Sequence, residues 1–541
     1  MRIIYLGVLP LAGVVSGCVV IEDRTPAPTL GAVSQPLSAS VEQVGVSLRT
    51  VSAEVDGHVL PLALDPVTGL YTGTYVPASL AERCKPSYSV RYQTVFQNAG
   101  GSTVTQYEPA LGHYQREATG LLPRVCRPPV RPLTITVLNT NDAELAAGAT
   151  TCVSTLPSGD CTLRAAISLA NGTPGHDVVV LVSGSTYTLS IGTGFPPSPA
   201  HHHLTIHDDL TIRASGSTPA TITESGSNGK ALFDVNAAPA VTLELQGLTI
   251  TGFVPSSSFV GGAITNTNGS LIIDACTFSS NEAYLQGGAI QNHGYLSIDH
   301  STLTDNLASL EGGAVAQLPN TAGTSGLPYA RIRNSTISYN RVRDGGMGAG
   351  IYGSVGTLDV ENVTIAANRP HIPGNRIKGG ALYMAGSLSA LVRQSTLAHN
   401  SAEVGGGIYV DGGTLALANS IVASNSNSSQ PAFDVMGPAG STAVAYGLGT
   451  NLLNTCSSTP TPGYTCPIAG STLILSWSPG LLPLALNAPG TTETYALSAS
   501  SPARGQGPAA ASNAADITTC LHTDQRGVNR SLPCDLGAYQ Y

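Results

Sequence analysis

The sequence predicts an all-β protein, a parallel β-helix (a solenoid of short strands) preceded by a small β-sandwich. The first reason is a repeat. Between Gly261 and Asn425 the chain runs through one unit six times, opening on glycine-rich starts such as Gly287-Gly288-Ala289-Ile290 and Gly405-Gly406-Gly407-Ile408. Each pass closes on an asparagine: Asn281, Asn306, Asn340, Asn368, Asn400 and Asn425, spaced 25, 34, 28, 32 and 25 residues apart. A minimal period of that size marks a solenoid. The second reason is alternation. Aligned passes give one inward column of Ile273, Ile298, Ile332, Val360, Val392 and Leu417, and another of Phe278, Leu303, Ile337, Ile365, Leu397 and Val422. Period-two alternation rich in β-branched residues and punctuated by glycine means strands. The third is composition: 61 glycines, 36 prolines and only 11% charged residues describe a turn-rich β protein.

Between the two columns sits a column of small residues, Cys276, Ser301, Ser335, Val363, Ser395 and Ser420, suited to a crowded interior. Strands on successive coils stack about 4.8 Å apart, so each column becomes a ladder of like side chains. The asparagines suit a turn that tolerates left-handed backbone and lets side-chain amides bond along the stack.

From the N-terminus, residues 1–17 read as a secretion signal: Met1-Arg2, then an apolar run from Ile3 to Val15 too short for a membrane span. It ends in Val15-Ser16-Gly17-Cys18. That tetrapeptide resembles the lipobox of bacterial lipoproteins, which implies cleavage before Cys18 and acylation of that residue; the alternative is an ordinary signal with a chance cysteine. Several acyl chains on one residue hold a protein at a membrane. Val19 rather than aspartate after the cysteine points to the outer membrane, on its cell-surface or periplasmic face. Residues 18–40 are expected to be a Pro-rich tether. Residues 41–130 carry alternating runs such as Tyr71–Tyr75 and Tyr88–Tyr92 between turns, and read as a β-sandwich that could be immunoglobulin-like.

Residues 131–200 resemble the region called CSLREA in bacterial β-helix proteins. The matching pieces are Leu133–Val137, Cys152, Cys161-Thr162-Leu163-Arg164-Ala165-Ala166-Ile167, Asn171 and Asp177–Val180, with Ala165 where that family usually has glutamate. The resemblance implies a lid on the first coil, with Leu163, Ile167 and Leu169 on one face of a short helix; an open solenoid end exposes strand edge. Coils follow over 201–430. Their "GGAI" and "TFSSN"-type motifs resemble those of polymorphic outer-membrane proteins and related right-handed β-helix proteins. Residues 431–541 read as terminal coils and a C-terminal cap. Pro479–Leu484, Thr494–Leu497, Ser501-Pro502-Ala503, Asp524–Gly527 and Cys534–Tyr539 resemble the choice-of-anchor Q region that closes many such helices.

Ten cysteines occur. Apart from Cys18 and the column residue Cys276, they fall into sequence-neighbour pairs, Cys84/Cys126, Cys152/Cys161, Cys456/Cys466 and Cys520/Cys534, which read as disulfides of an oxidising compartment. No CxxC or HxxxH spacing favours a metal. His201-His202-His203 alternates faces if it is a strand and is expected in a solvated turn. No metal and no cofactor are expected.

A net charge of −9 argues against nucleic acid as a partner, and one tryptophan against an aromatic-lined sugar groove. Against that background, Arg331, Arg333, Arg341, Arg343, Arg369, Arg376, Lys378 and Arg393 lie in 63 residues with only Asp344, Asp359 and Glu361, a local balance of 8 − 3 = +5. The same coils carry insertions at Gln317–Tyr329, Arg341–Met347 and Arg369–Lys378, and long loops on a rigid scaffold are where function usually resides. The expected ligand is an acidic polysaccharide, gripped by arginine forks. A structural alternative applies to Arg333 and Arg393, which share an outward column with Asp274, Asp299 and Glu361 and can form an ion-pair ladder. The expected function is a carbohydrate-binding or adhesive module, monomeric and surface-anchored. The runner-up is a polysaccharide lyase or glycoside hydrolase working in the β-helix groove. No Gly-x-Ser-x-Gly or HExxH motif supports it, although Asp274 and Asp299 neighbour each other in a column.

Overall fold

The computed structural model divides the chain into two units, Met1–Pro128 and Pro129–Tyr541. It describes Leu70 and eight strands of the first; of the second it describes residues 132–190, 202–225, 229–236, 240–255, 261–320, 327–427, 434–438, 444–454, 464–469, 472–511 and 519–541.

In the first unit, strands β1 (Cys18–Asp23), β2 (Gln35–Val44), β3 (Ser47–Val55), β4 (His58–Leu64), β5 (Tyr71–Tyr75), β6 (Ser87–Gln97), β7 (Thr103–Glu108) and β8 (Tyr114–Glu117) are antiparallel. They follow one hydrogen-bonded path, β1-β2-β5-β4-β3-β6-β7, with β8 on β6. Alternate residues Val51, Ala53 and Val55 are buried, and Ala53 faces the buried Tyr92. The segment expected to be a tether begins as a strand instead: Cys18–Asp23 pairs with Ala39–Val44, which its β-branched residues favour.

The second unit is a parallel β-helix. Each coil supplies one strand to each of three sheets. Sheet I has twelve strands among the described residues, from Thr134–Val137 to Ile468–Ala469, and includes Ser270–Asp274, Tyr295–Asp299, Tyr329–Arg333, Thr357–Glu361 and Ser389–Arg393. Sheet II has eleven, including Thr277–Ser279, Thr336–Ser338 and Ile421–Ala423; sheet III has ten, including Ile290–Asn292 and Tyr409 in Ile408–Val410. A fourth, short sheet of Glu282–Ala283, Leu307–Ala308, Arg341–Val342 and Arg369–Pro370 lines the corner after sheet II. The register matches the predicted columns. Ile273, Ile298, Ile332, Val360, Val392 and Leu417 pair in succession, as do Phe278 through Val422, and all are buried in one continuous core.

The asparagines form a buried amide ladder. Each Nδ2 donates to the next Oδ1, from Asn281 to Asn306, Asn340, Asn368, Asn400 and Asn425, at 2.9–3.0 Å. The same Oδ1 atoms accept the backbone N–H of the preceding rung. The ends set the polarity: Phe253 N–H donates to Asn281 Oδ1, and Asn425 Nδ2 donates to Asp434, which as a carboxylate only accepts. The left-handed backbone expected at the asparagines falls one residue earlier, on Ser280, Asp305, Tyr339, Ala367, His399 and Ser424 (φ +54 to +59°). That arrangement turns each asparagine side chain inward. The glycine pairs serve close approach: a Cβ on Gly288 would fall on the Gly313 carbonyl of the next coil.

At the N-terminal end, coil-forming strands begin at Thr134, well before 201, because Thr134–Val137 and Asp177–Leu181 already belong to sheet I. The helix Leu163–Gly172 is capped by Thr162 Oγ1, which accepts the Ala165 N–H, and it buries Leu163, Ile167 and Leu169. His203 is not in a solvated turn. It lies in strand His202–Ile206 with its side chain buried, Nε2 3.2 Å from Glu224 and Nδ1 3.5 Å from Arg164, which itself clasps Asp142 through two bonds of 2.7 and 2.8 Å. A buried cation needs such a partner, which is what places these charges together.

The C-terminal segment departs most from expectation. Instead of closing the end of the solenoid, the described residues 479–511 and 519–541 run back along its flank and cover the outer side of sheet II. Gln525 bonds Thr336, Thr364 and Thr492; Asn362 donates to Thr523 O; Arg530 donates to Asn362; Ala538 N–H donates to Thr396. Leu497, Ala503 and Leu536 pack on Ile421, Ala423 and Leu452, and Tyr495 on Ala366 and Ala398. Those outward alanines and isoleucines leave sheet II needing an apolar cover.

Cys152–Cys161 and Cys520–Cys534 are disulfides, and Cys466 is also disulfide-bonded. Cys84, Cys126 and Cys456 lie outside the described residues, as does the side chain of Cys18. Cys276 is a buried free thiol.

Candidate ligand-binding site

The eight basic residues do not form one patch. The turn after sheet I and the flank-covering C-terminal segment divide them into two groups with different partners.

Arg331, Arg333 and Arg393 stand on the outer face of sheet I. Arg333 and Arg393 belong to the column Asp274, Asp299, Arg333, Glu361, Arg393 in successive coils, and Arg331 to the neighbouring outward column beside Ser297 and Asp359. Arg333 pairs with Asp299 at 3.2 Å, Arg331 with Glu361 at 3.0 Å, and Arg393 with Glu361 at 3.7 Å. This is the ion-pair ladder that the alternation allowed. Arg393 is also 2% exposed and donates to Thr519 O beneath the C-terminal segment, so it is not a surface contact. Sequence could not show this, because Thr519 is 126 residues away.

Arg341, Arg343, Arg369, Arg376 and Lys378 lie at the corner between sheets II and III. Arg341 and Arg369 are register partners on adjacent coils of the short sheet. Two residues further along, Arg343 N–H donates to Ala308 O and His371 N–H to Val342 O, which continues the same register. Arg341, Arg343, Arg369 and His371 therefore form a block two residues wide and two coils high, about 5 Å between coils. Arg343 is partnered by Glu282 two coils away. Among the described residues the Arg341 side chain reaches only the Asp305 carbonyl, at 3.5 Å, and its buried Nε has no hydrogen-bond partner. Among the described residues none of Arg341, Arg369 and Arg376 forms an ion pair, and Lys378 lies 5.5 Å above the Tyr409 ring. Arg369, Arg376 and Lys378 are exposed. Arg376 N–H donates to Asp344 and Gly345 N–H to Arg376 O, fastening one insertion to the next.

His371 was not singled out by its sequence position, although its place two residues after Arg369 in an alternating strand was a usable signal. Burial, followed by the guanidiniums of Arg343 and Arg341, holds its imidazole below the usual histidine range against an opposing pull from Glu282. Like charges on adjacent rungs are destabilising. A site that keeps them together, with one imidazole between, can accept an anion by relieving that repulsion through charge-assisted hydrogen bonds.

Two other clusters were not legible in the sequence. On sheet I, Tyr329 stacks on Tyr295 with centroids 5.5 Å apart and donates its hydroxyl to Asp359 at 2.6 Å. Burial pushes the Asp359 carboxyl above its ordinary range, with the Tyr329 hydrogen bond pulling the other way. On sheet III, Tyr352, Tyr383 and Tyr409 stack at 5.6 and 5.4 Å. They pack with Leu318, Val404 and Met436 and are 2–7% exposed, so their faces are not open to a sugar. Among the described residues no group of three or more His, Cys, Asp or Glu stands together as a metal site would.

No family model matches the chain, and no curated protein matches it in sequence. Among solved structures it is similar to the crystal structure of pectate lyase Pel9A, at 13% identity and a TM-score of 0.40, over 76% of this chain and 97% of that one.

Proposed function

We propose that this is an exported β-helix protein, lipid-anchored through Cys18 at the outer membrane, that binds an acidic polysaccharide at the corner carrying Arg341, Arg343, Arg369, Arg376 and Lys378. The observation that carries the reading is the register pairing of Arg341 with Arg369, two guanidiniums on adjacent coils with no carboxylate partner among the described residues. Arginine grips carboxylate and sulfate bidentately and keeps its charge at every relevant pH. The exposed Tyr284 and Ile372 nearby (55% and 57%) add apolar surface of the kind a saccharide ring packs against.

Retention of the full chain on a panel of polyuronates and sulfated glycans, with and without calcium, tests this. Binding should fall with salt, since exposed charges are screened within about 10 Å at 0.1 M. It should also fall in Arg341→Ala/Arg369→Ala/Arg376→Ala. No retention at low salt, or retention unchanged in that variant, refutes it.

A second reading is cleavage on sheet I, favoured by one observation. Asp359, raised by burial and bonded to Tyr329, stands two residues from Glu361 on the same face of one strand. Two carboxyls in unlike environments are the raw material of acid–base work on glycosides. Release of reducing ends or of ultraviolet-absorbing unsaturated uronates, lost in Asp359→Asn, would establish it.

A further inference from the structure

We propose that anion binding at this corner is coupled to protonation of His371, so that the site tightens its hold on a polyanion as the surroundings become acidic. The inference rests on the binding site proposed above. Its geometric basis is the two-by-two block: His371 is the register neighbour of Arg343, two residues from Arg369 on its own coil and diagonal to Arg341. Its Nδ1 is buried with no hydrogen-bond partner among the described residues, so no protein group there compensates a proton on the ring until an anion sits beside it.

The charged groups around it are Arg341, Arg343 and Asp344 on the preceding coil, Arg369 and Arg376 on its own, Glu282 reaching Arg343 from two coils further back, and Glu403 on the next coil. With no ligand the nearest of these are guanidiniums, and they oppose a further positive charge. A sulfate or carboxylate seated among Arg341, Arg343 and Arg369 reverses the local field, and imidazolium then adds a fourth donor to the anion.

The sign follows from linkage. A group whose affinity for protons rises when ligand binds makes the ligand bind more tightly at low pH. That advantage is lost as pH rises through the bound-state pKa. A lone arginine site has no such dependence over the same interval, because guanidinium stays charged.

Dextran sulfate is a suitable probe because its sulfates stay ionised throughout. Calorimetry on the full chain should find binding about threefold or more tighter near pH 5.5 than near pH 7.5, with uptake of up to about one proton per site in buffers of different ionisation enthalpy. In His371→Gln, which cannot titrate, the affinities near pH 5.5 and pH 7.5 should become equal and proton uptake should disappear, whatever the absolute affinity that remains. Wild-type binding that is independent of pH, or a dependence that survives in His371→Gln, overturns the proton coupling and leaves the arginine site standing. Absence of binding at low salt at both pH values, or binding unchanged in Arg341→Ala/Arg369→Ala, overturns the site and the coupling together.

Discussion

The asparagine ladder makes a prediction whose size can be worked out bond by bond. In Asn340→Ala the side chain loses two donated bonds, to Leu303 O and Asn368 Oδ1, both 2.9 Å. It also strips an acceptor from two donors of the preceding rung, the Asn306 backbone N–H (3.0 Å) and Asn306 Nδ2 (2.9 Å). The second of these keeps a bond to Phe278 O, but the backbone N–H is orphaned inside the core. A net hydrogen bond contributes about 1 kcal/mol, and a buried donor left without a partner costs about 1–3 kcal/mol. The sum is about 3–5 kcal/mol, among the larger single-residue effects. Asn340→Asp is the sharper probe. It preserves the acceptor for Asn306 but turns an oxygen towards Leu303 O and Asn368 Oδ1 and buries a charge, so it should cost at least as much as alanine. Solenoids can unfold in parts, so the readout should be local hydrogen exchange at the Asn306 amide alongside urea unfolding. The double variant Asn340→Ala/Asn368→Ala should cost less than the sum of the singles, because the second truncation removes a group already half disconnected. A cost below about 1 kcal/mol, a well-tolerated aspartate, or strict additivity would refute the ladder as a cooperative element.

Three further outcomes follow from the same framework. Ile332 is fully buried between Ile298 and Val360, so Ile332→Asp should destabilise by about 4 kcal/mol or more through an unpaired buried charge; melting at the wild-type temperature would contradict the register. Burial pushes the Cys276 thiol up to about 12, so it should react with alkylating agents only on unfolding, while Cys152, Cys161, Cys520 and Cys534 do not react until reduced. Thiol mapping that finds a fast-reacting Cys276 would contradict this. A clickable palmitate analogue should label the wild type but not Cys18→Ser, and equal labelling of both would end the lipoprotein proposal.

What the sequence determined by itself was everything that repeats. Inward columns, small-residue positions and asparagine rungs recur in phase six times, and a strand has only two faces, so phase alone sorts residues into core and surface. The opposed charges of Asp299, Arg333, Glu361 and Arg393 were readable for the same reason, since register follows from the repeat. What lay beyond the period was decided only by tertiary structure. The C-terminal segment follows no repeat, and its path along sheet II depends on contacts such as Gln525 with Thr336 across 189 residues. That path removes Arg393 from the surface and so divides a basic stretch that is continuous in sequence. His203 could be placed only once the fold brought Glu224 and Arg164 to it. His371 joined the arginines because two coils with insertions of unlike length still meet in register at the corner. Stacking fixes which residues are neighbours along the axis, whereas loop and flank packing decide which of them water and ligands can reach.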